Sequence, residues 1–262
     1  MKKIQKELIG IGKEVTDILK NIKEIKAIAF HGAVAEGFAD KYSDIDIVFF
    51  CDKIPIKKVK NIFKEFQDFR MSRKMGDEII FVLCYKKRYI GLHFFTISSI
   101  EKYIKTMQTR GYYDFRKDSI FVGRVLNTKC IYDPKNLIKK WKKKSRKILK
   151  KYLPEAIKFF IPFLKDQSEL SIIIKRKNWL FENLRIAQFI EWFLVCLYAL
   201  NGEPYYISKW AFKKIPTFKY KPKNCVKKLE QISLLGNDPK DLKKKINIFK
   251  DLIKDMEPLI TN

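Results

Sequence analysis

Apolar residues recur at three- and four-residue steps across residues 3–23, at Ile4, Leu8, Ile11, Val15, Ile18, Leu19 and Ile22. That spacing is one stripe of an amphipathic helix. The pattern then shortens. Residues 27–30 form an apolar run that stops at His31-Gly32-Ala33, and a second run over residues 45–50 begins behind Asp44 and Asp46. Two strands joined by a tight turn and a polar segment fit this arrangement. Past Pro55 the helical step returns across residues 57–70, through Val59, Ile62, Phe63 and Phe66. Residues 78–85 and 89–97 are β-prone runs separated by Lys86-Lys87-Arg88, which predicts a hairpin. A further helix is expected over residues 99–105, with Ser98 and Glu101 at capping-box spacing. Asp133-Pro134, after Cys130-Ile131-Tyr132, marks a boundary.

Beyond that boundary the periodicity is helical. Leu137, Ile138, Trp141, Ile148, Leu149 and Tyr152 keep a stripe inside a strongly basic stretch. Residues 155–164 make a segment expected to break at Pro162, residues 168–198 are apolar nearly all round their middle, and residues 223–259 close the chain. Asn201-Gly202 reads as a helix C-cap. The most apolar run, residues 186–200, contains Gln188 and Glu191 and is expected to be too short for a bilayer. The expected class is α+β: a mixed sheet flanked by helices over residues 1–134, then an all-α helical bundle over residues 135–262.

Charge adds to this picture. The 262 residues are 47% hydrophobic, enough to bury a core in one large or two modest domains, and carry a formal charge of +27. Such an excess suits a polyanion, whether nucleic acid, anionic lipid or a nucleotide, so RNA is one partner it admits. The lysines are spread along most of the chain, which equally describes a solvated surface. The five cysteines lie far apart without a CxxC pair and fit a reducing compartment, as small buried apolar groups. Residues 1–15 mix charges with aliphatics and lack the unbroken apolar core of a signal peptide. A cytoplasmic location without a membrane partner is expected.

The candidate chemistry lies in residues 27–52, AIAFHGAVAEGFADKYSDIDIVFFCD. Side chains alternate along a strand, so Asp44 and Asp46 point one way and Ile45 and Ile47 the other. Neighbouring carboxylates repel, and one would hold a proton unless a cation sits between them. Magnesium suits that place, because it seeks oxygen and is usually held by one or two carboxylates plus substrate phosphates. Gly32, directly after a strand, lets the backbone approach a ligand, and residues 33–36 can open a helical turn whose amides face a phosphate.

A glycine after an apolar strand, then Gly37, Asp40, Ser43 and Asp44-Ile45-Asp46, resemble the signature of the nucleotidyltransferase superfamily. That superfamily includes DNA polymerase beta, aminoglycoside and lincosamide nucleotidyltransferases, and CCA-adding enzymes. Residues 201–210 more weakly resemble the C-terminal helical domain of its small-molecule members. The resemblance implies a nucleotidyltransferase-fold sheet followed by a substrate-binding helical domain. It implies magnesium on Asp44 and Asp46, phosphates positioned by Gly32, Ala33 and Ser43, Lys209 reaching the triphosphate, and Tyr205 or Tyr206 at the base. The implied reaction moves AMP from ATP to a hydroxyl of a small acceptor with release of pyrophosphate, by a monomer or homodimer. An RNA- or protein-directed transferase, or a nucleotide-binding relative without turnover, are the alternatives.

Two positions depart from the family pattern. Ala33 stands where a serine is usual, and the missing hydroxyl removes a hydrogen bond of about 1 kcal/mol to a phosphate. The family places a third carboxylate on a later strand, where His93 best fits the slot. A histidine there can ligate a metal, act as a base near neutral pH, or hydrogen-bond within the site. Asp77 and Glu78 are the other candidates for the acid, and His93, Glu182 and Glu191 for the base that takes the acceptor's proton.

Overall fold

The computed structural model describes residues 3–75, 78–110, 114, 115, 117–166, 179–206 and 208–261. The chain clusters into two compact units, Met1–Tyr113 with Phe121–Ile148, and Asp114–Ile120 with Leu149–Asn262.

In the first unit α1 (Lys3–Leu19) leads into β1 (Ile25–His31), the short α2 (Gly32–Glu36), β2 (Ile45–Cys51) and α3 (Ile56–Phe63). Strands β3 (Arg70–Met75), β4 (Glu78–Tyr85) and β5 (Arg88–Thr96) follow, then α4 (Ile97–Thr109), α5 (Lys117–Asn127), β6 (Lys129–Tyr132) and α6 (Leu137–Lys165). The six strands form one sheet in the order β3-β4-β5-β2-β1-β6. β2 and β5 are parallel and the other neighbours antiparallel, so the sheet is mixed, as the expected α+β class requires.

Alternation along the strands separates a core face from a site face. Ile45, Ile47, Phe49, Leu92, Phe94 and Phe81 are fully buried, with Phe49 and Phe94 stacked at 4.7 Å. Each such side chain contributes roughly 1.5–3 kcal/mol by leaving water. α1 closes on this face because Gly12 has no side chain: a Cβ there would lie 2.3 Å from the Phe30 ring.

Two local expectations change and a third, the hairpin, holds. The helix expected over residues 57–70 stops at Phe63, and the chain returns as β3, at the sheet edge. Phe66 and Phe69, which fall near the helical step, instead pack their rings on Phe63 at 4.9 and 6.0 Å from a turn. The helix expected from Ser99 begins at Ile97, capped by Thr96, whose hydroxyl accepts from the Ser99 amide at 3.3 Å, so Ser98 is not the cap. The β4–β5 hairpin turns on Lys86 and Lys87, both with positive φ, the backbone that a two-residue type I′ turn needs.

The second unit contains the C-terminal part of α6, α7 (Trp179–Leu200), α8 (Ala211–Lys214), α9 (Cys225–Leu234) and α10 (Pro239–Thr261). The break expected at Pro162 is absent, because α6 runs through Pro154 and Pro162 to Lys165. Of the helix expected over residues 168–198, the stretch 168–178 lies outside the described residues. Phe189, Phe193 and Leu197 of α7 are buried with Phe249, Leu252 and Ile253 of α10. The stretch Leu180–Leu200, with mean hydropathy 1.3, is long and apolar enough to cross a membrane, which corrects the reading of this run as too short. In this unit much of it lines the core instead. Gly202, at φ +72, closes α7 as the expected cap.

Candidate active site

Four strands of the first unit bring a row of acids and imidazoles to one face of the sheet. Register places His31 of β1 opposite Asp46 of β2, and Asp46 beside Gly91 of β5. His93 lies two residues further along β5, opposite Ile80 of β4, so that Glu78 is its diagonal neighbour on the same face. His93 Nε2 is 3.2 Å from Asp46 Oδ1, and His93 Nδ1 is 3.4 Å from Glu78 Oε1. Arg124 of α5 approaches Glu78 from outside, at 3.9 Å.

These contacts set the charges. Burial alone would drive the His93 imidazolium to lose its proton, but hydrogen bonds to Asp46 and Glu78 outweigh it and push the pKa up to about 9. At neutral pH both ring N–H groups therefore donate to carboxylates. The His93 bond in turn holds the Glu78 carboxyl below its ordinary value, with the Arg124 charge adding to it against burial. His31 goes the other way. Burial lowers it to about 4, and the charges of Arg124 and His93 assist against the attraction of Asp46. It is a neutral imidazole whose Nδ1 has no hydrogen-bond partner among the described residues.

Two glycines make room for the Asp46 carboxylate. A Cβ at Gly32 would lie 2.7 Å from Oδ2, and one at Gly91 would lie 2.8 Å from Oδ1 and 3.1 Å from His93 Nε2. Gly32 also takes φ +58, which side-chain-bearing residues rarely adopt. Its turn opens α2, with Ala33 buried in that first turn. One oxygen of Asp46 thus faces His93 and the other faces the Gly32 turn.

Of the residues singled out from sequence, Gly32, Ala33, Asp46 and His93 come together here. Asp44 precedes β2 and is exposed, and the burial sequence Asp44 exposed, Ile45 buried, Asp46 half-buried, Ile47 buried follows the alternation. The Ser43 hydroxyl donates to Asp40 Oδ1 and accepts from the Asp40 amide, both at 3.0 Å, so it ties the loop before β2. Glu78 reaches His93, which pairs with Val48 and lies diagonal to Asp46, whose own partner on β5 is Gly91. Asp77 lies outside the described residues.

The remaining candidates lie in the second unit. Lys209 is exposed, its ammonium 5.0 Å from the centre of the Trp210 ring. Tyr205 is half-buried and meets Tyr198 edge-on at 5.3 Å. Glu182 is buried in α7 without a hydrogen-bond partner among the described residues, and burial raises its pKa, whereas Glu191 is exposed. Sequence reasoning passed over His31 and Arg124. His31 had a signal, being the last residue of its strand directly before Gly32. Arg124 had none, because a helix thirty residues downstream of β5 brings it in.

Two carboxylates at one strand end, beside a cradle that only glycine leaves open, are a donor set that fits magnesium completed by substrate oxygens. A cluster of three protein ligands is not found among the described residues, so such an ion would depend on phosphate oxygens.

Residues 13–106 match the family model described as a nucleotidyltransferase domain. This part of the chain is a nucleotidyltransferase domain. The matched residues span β1, the Gly32 turn, β2 and β5, and so contain Asp44, Asp46, Glu78 and His93, whereas Arg124 lies beyond them. A nucleotidyltransferase-like protein from Exiguobacterium sibiricum is a structural neighbour, at a TM-score of 0.42 and 10% identity, over 96% of this chain and 74% of that one. No curated protein matches the chain.

Proposed function

We propose that this nucleotidyltransferase transfers a nucleoside monophosphate, AMP from ATP, to a hydroxyl of a small acceptor and releases pyrophosphate. The observation that carries the reading is the Asp46 carboxylate seated between Gly32 and Gly91, with His93 on one oxygen and the Gly32 turn at the other. The amides at the start of α2 suit the donor's phosphates, and Ala33 leaves this task to backbone. Asp44 and Asp46 would hold magnesium, which would neutralise charge on the polyphosphate as it leaves.

The acceptor oxygen attacks the α-phosphorus while the bond from that phosphorus to the oxygen bridging the β-phosphate breaks. The acceptor's proton passes to a base, and the departing pyrophosphate takes the bonding pair. His93, protonated and held by two carboxylates, orients Asp46 and places positive charge in the row where the family usually has a third acid. Glu78 and Arg124 fix the ring from behind.

The experiment is a calorimetric titration with a non-hydrolysable ATP analogue, with and without magnesium, on the wild type and Asp46→Asn. The wild type should bind only with the ion, and the variant should bind at least tenfold more weakly and release no pyrophosphate from ATP with any acceptor. Equal affinities would refute the assignment of Asp46. Binding by the wild type without pyrophosphate release across a panel of acceptors would make the chain a nucleotide-binding relative instead.

A further inference from the structure

Strand β6 is the edge of the sheet beyond β1, and its outer side pairs with no other strand among the described residues. The chain turns at Asp133 and enters α6, which packs back through Trp141, set edge-on against Phe50 at 4.9 Å. Ile138, Trp141, Ser145 and Ile148 form the inward face of this stretch. Between edge and helix lies an open depression of about 960 Å³. Its walls carry Lys139, Lys140, Lys142, Lys143, Arg146 and Lys147 against a single carboxylate, Asp133.

That carboxylate does not neutralise the walls. Its two oxygens accept from the amides of Leu137 and Ile138, at 2.7 and 2.9 Å, and so cap α6. Among the described residues none of the six cations forms an ion pair. Lys142 is half-buried and donates to the Thr128 carbonyl, and burial together with the Arg146 charge holds its pKa below the ordinary lysine value. Like charges three and four residues apart on a helix repel. Elsewhere in the unit several cations are matched, as in Lys58 with Glu24 at 2.7 Å and Arg88 with Glu7 at 3.0 Å. The depression has the charge of a surface awaiting a polyanion.

We propose that the β6–α6 groove binds the phosphodiester backbone of a nucleic-acid strand. A helix repeats its side chains every 5–6 Å along a face, so Lys139, Lys143 and Lys147, with Lys142 and Arg146 beside them, form a regular row of charge. Regularly spaced phosphates complement such a row. A bilayer would fit less well: the groove is concave, and no large apolar side chain of residues 137–148 is exposed for insertion. The proposal goes beyond the transfer reaction, and it stands or fails without the Asp46 site.

The test is fluorescence anisotropy of the full chain with labelled single-stranded RNA and with DNA of the same sequence, across a salt series. The reversal Lys139→Glu, Lys143→Glu, Arg146→Glu is compared with an equal reversal on α10, Lys240→Glu, Lys243→Glu, Lys250→Glu. The groove variant should bind at least tenfold more weakly, with a salt dependence shallower by about 2 in log–log slope, from three lost contacts at roughly 0.7 each. The α10 variant should stay within about threefold of the wild type, a margin set against the size of one such contact. Should the reversal fail to fold by circular dichroism, the corresponding triple alanine variant is read in its place. Equal losses in both variants, no measurable binding of either nucleic acid, or groove-dependent binding of phosphatidylserine vesicles without nucleic-acid binding would each overturn the proposal.

Discussion

The acid–imidazole row and the β6–α6 edge lie in the same unit of a strongly basic chain and carry charge in opposite ways. Along the row each charge is answered: Asp46 and Glu78 share the His93 imidazolium, and Arg124 stands behind Glu78. Along the edge the cations face one another and the only acid is tied to backbone amides. Interlocked charges hold geometry and shift protonation, which is what a reacting site requires. Unanswered charges of one sign do neither. They attract an external partner.

The comparison can be broken most sharply at Gly91. Alanine there keeps ordinary backbone but sets a methyl 2.8 Å from Asp46 Oδ1 and 3.1 Å from His93 Nε2, so the two must part. Transfer activity should fall by roughly tenfold or more, about 1.4 kcal/mol in the barrier, while circular dichroism stays unchanged. Full activity would mean that the Asp46–His93 contact does not position the site.

A smaller effect should appear in the pH dependence of stability. His93 is raised from 6.5 to about 9, so its contribution is complete below pH 6.5 and is lost as the pH climbs through 9. His31 is lowered to about 4, so the buried neutral ring favours folding fully above pH 6.5 and progressively less as the pH falls toward 4. The thermal midpoint should therefore peak near pH 6.5 and decline on both sides, by about 2–3 kcal/mol at either limit. In His93→Gln the alkaline decline should vanish and the acidic one remain. A wild-type midpoint that is level from pH 6.5 to 9 would contradict a shared imidazolium.

The smallest effect sharpens the other side of the comparison. Lys143 lies four residues from both Lys139 and Lys147, all unpaired, so Lys143→Glu should stabilise the protein by about 0.5 kcal/mol, through relief of like-charge pairs and gain of opposite ones. Urea unfolding would measure it. A loss of stability would show that the lysine row is held by contacts within the fold.

Periodicity and turn chemistry made much of the first unit legible. The alternation around Ile45 and Ile47 put Asp44 and Asp46 on the polar side, and Gly32 announced a turn that its positive φ bears out. The register of β5 against β2 was not legible, because the pairing is made across forty intervening residues and no local rule states which residue of β5 meets Asp46. The third-acid question depended on that register. His93 was recognisable as the odd residue in its strand, but that it bridges Asp46 to Glu78, and is charged because it does so, required three strands to be laid side by side.

By itself the sequence determined the α+β class, the glycine turn, the carboxylate pair and the excess of positive charge, since each follows from propensity, alternation or composition within a short window. Tertiary structure alone decided which charges meet. It seated Asp46 between two glycines, withdrew the Ser43 hydroxyl into its own loop and, among the described residues, left Lys139, Lys143 and Lys147 of α6 without an acid. Electrostatic energy depends on distances and burial between groups far apart in the chain, and only folding fixes those.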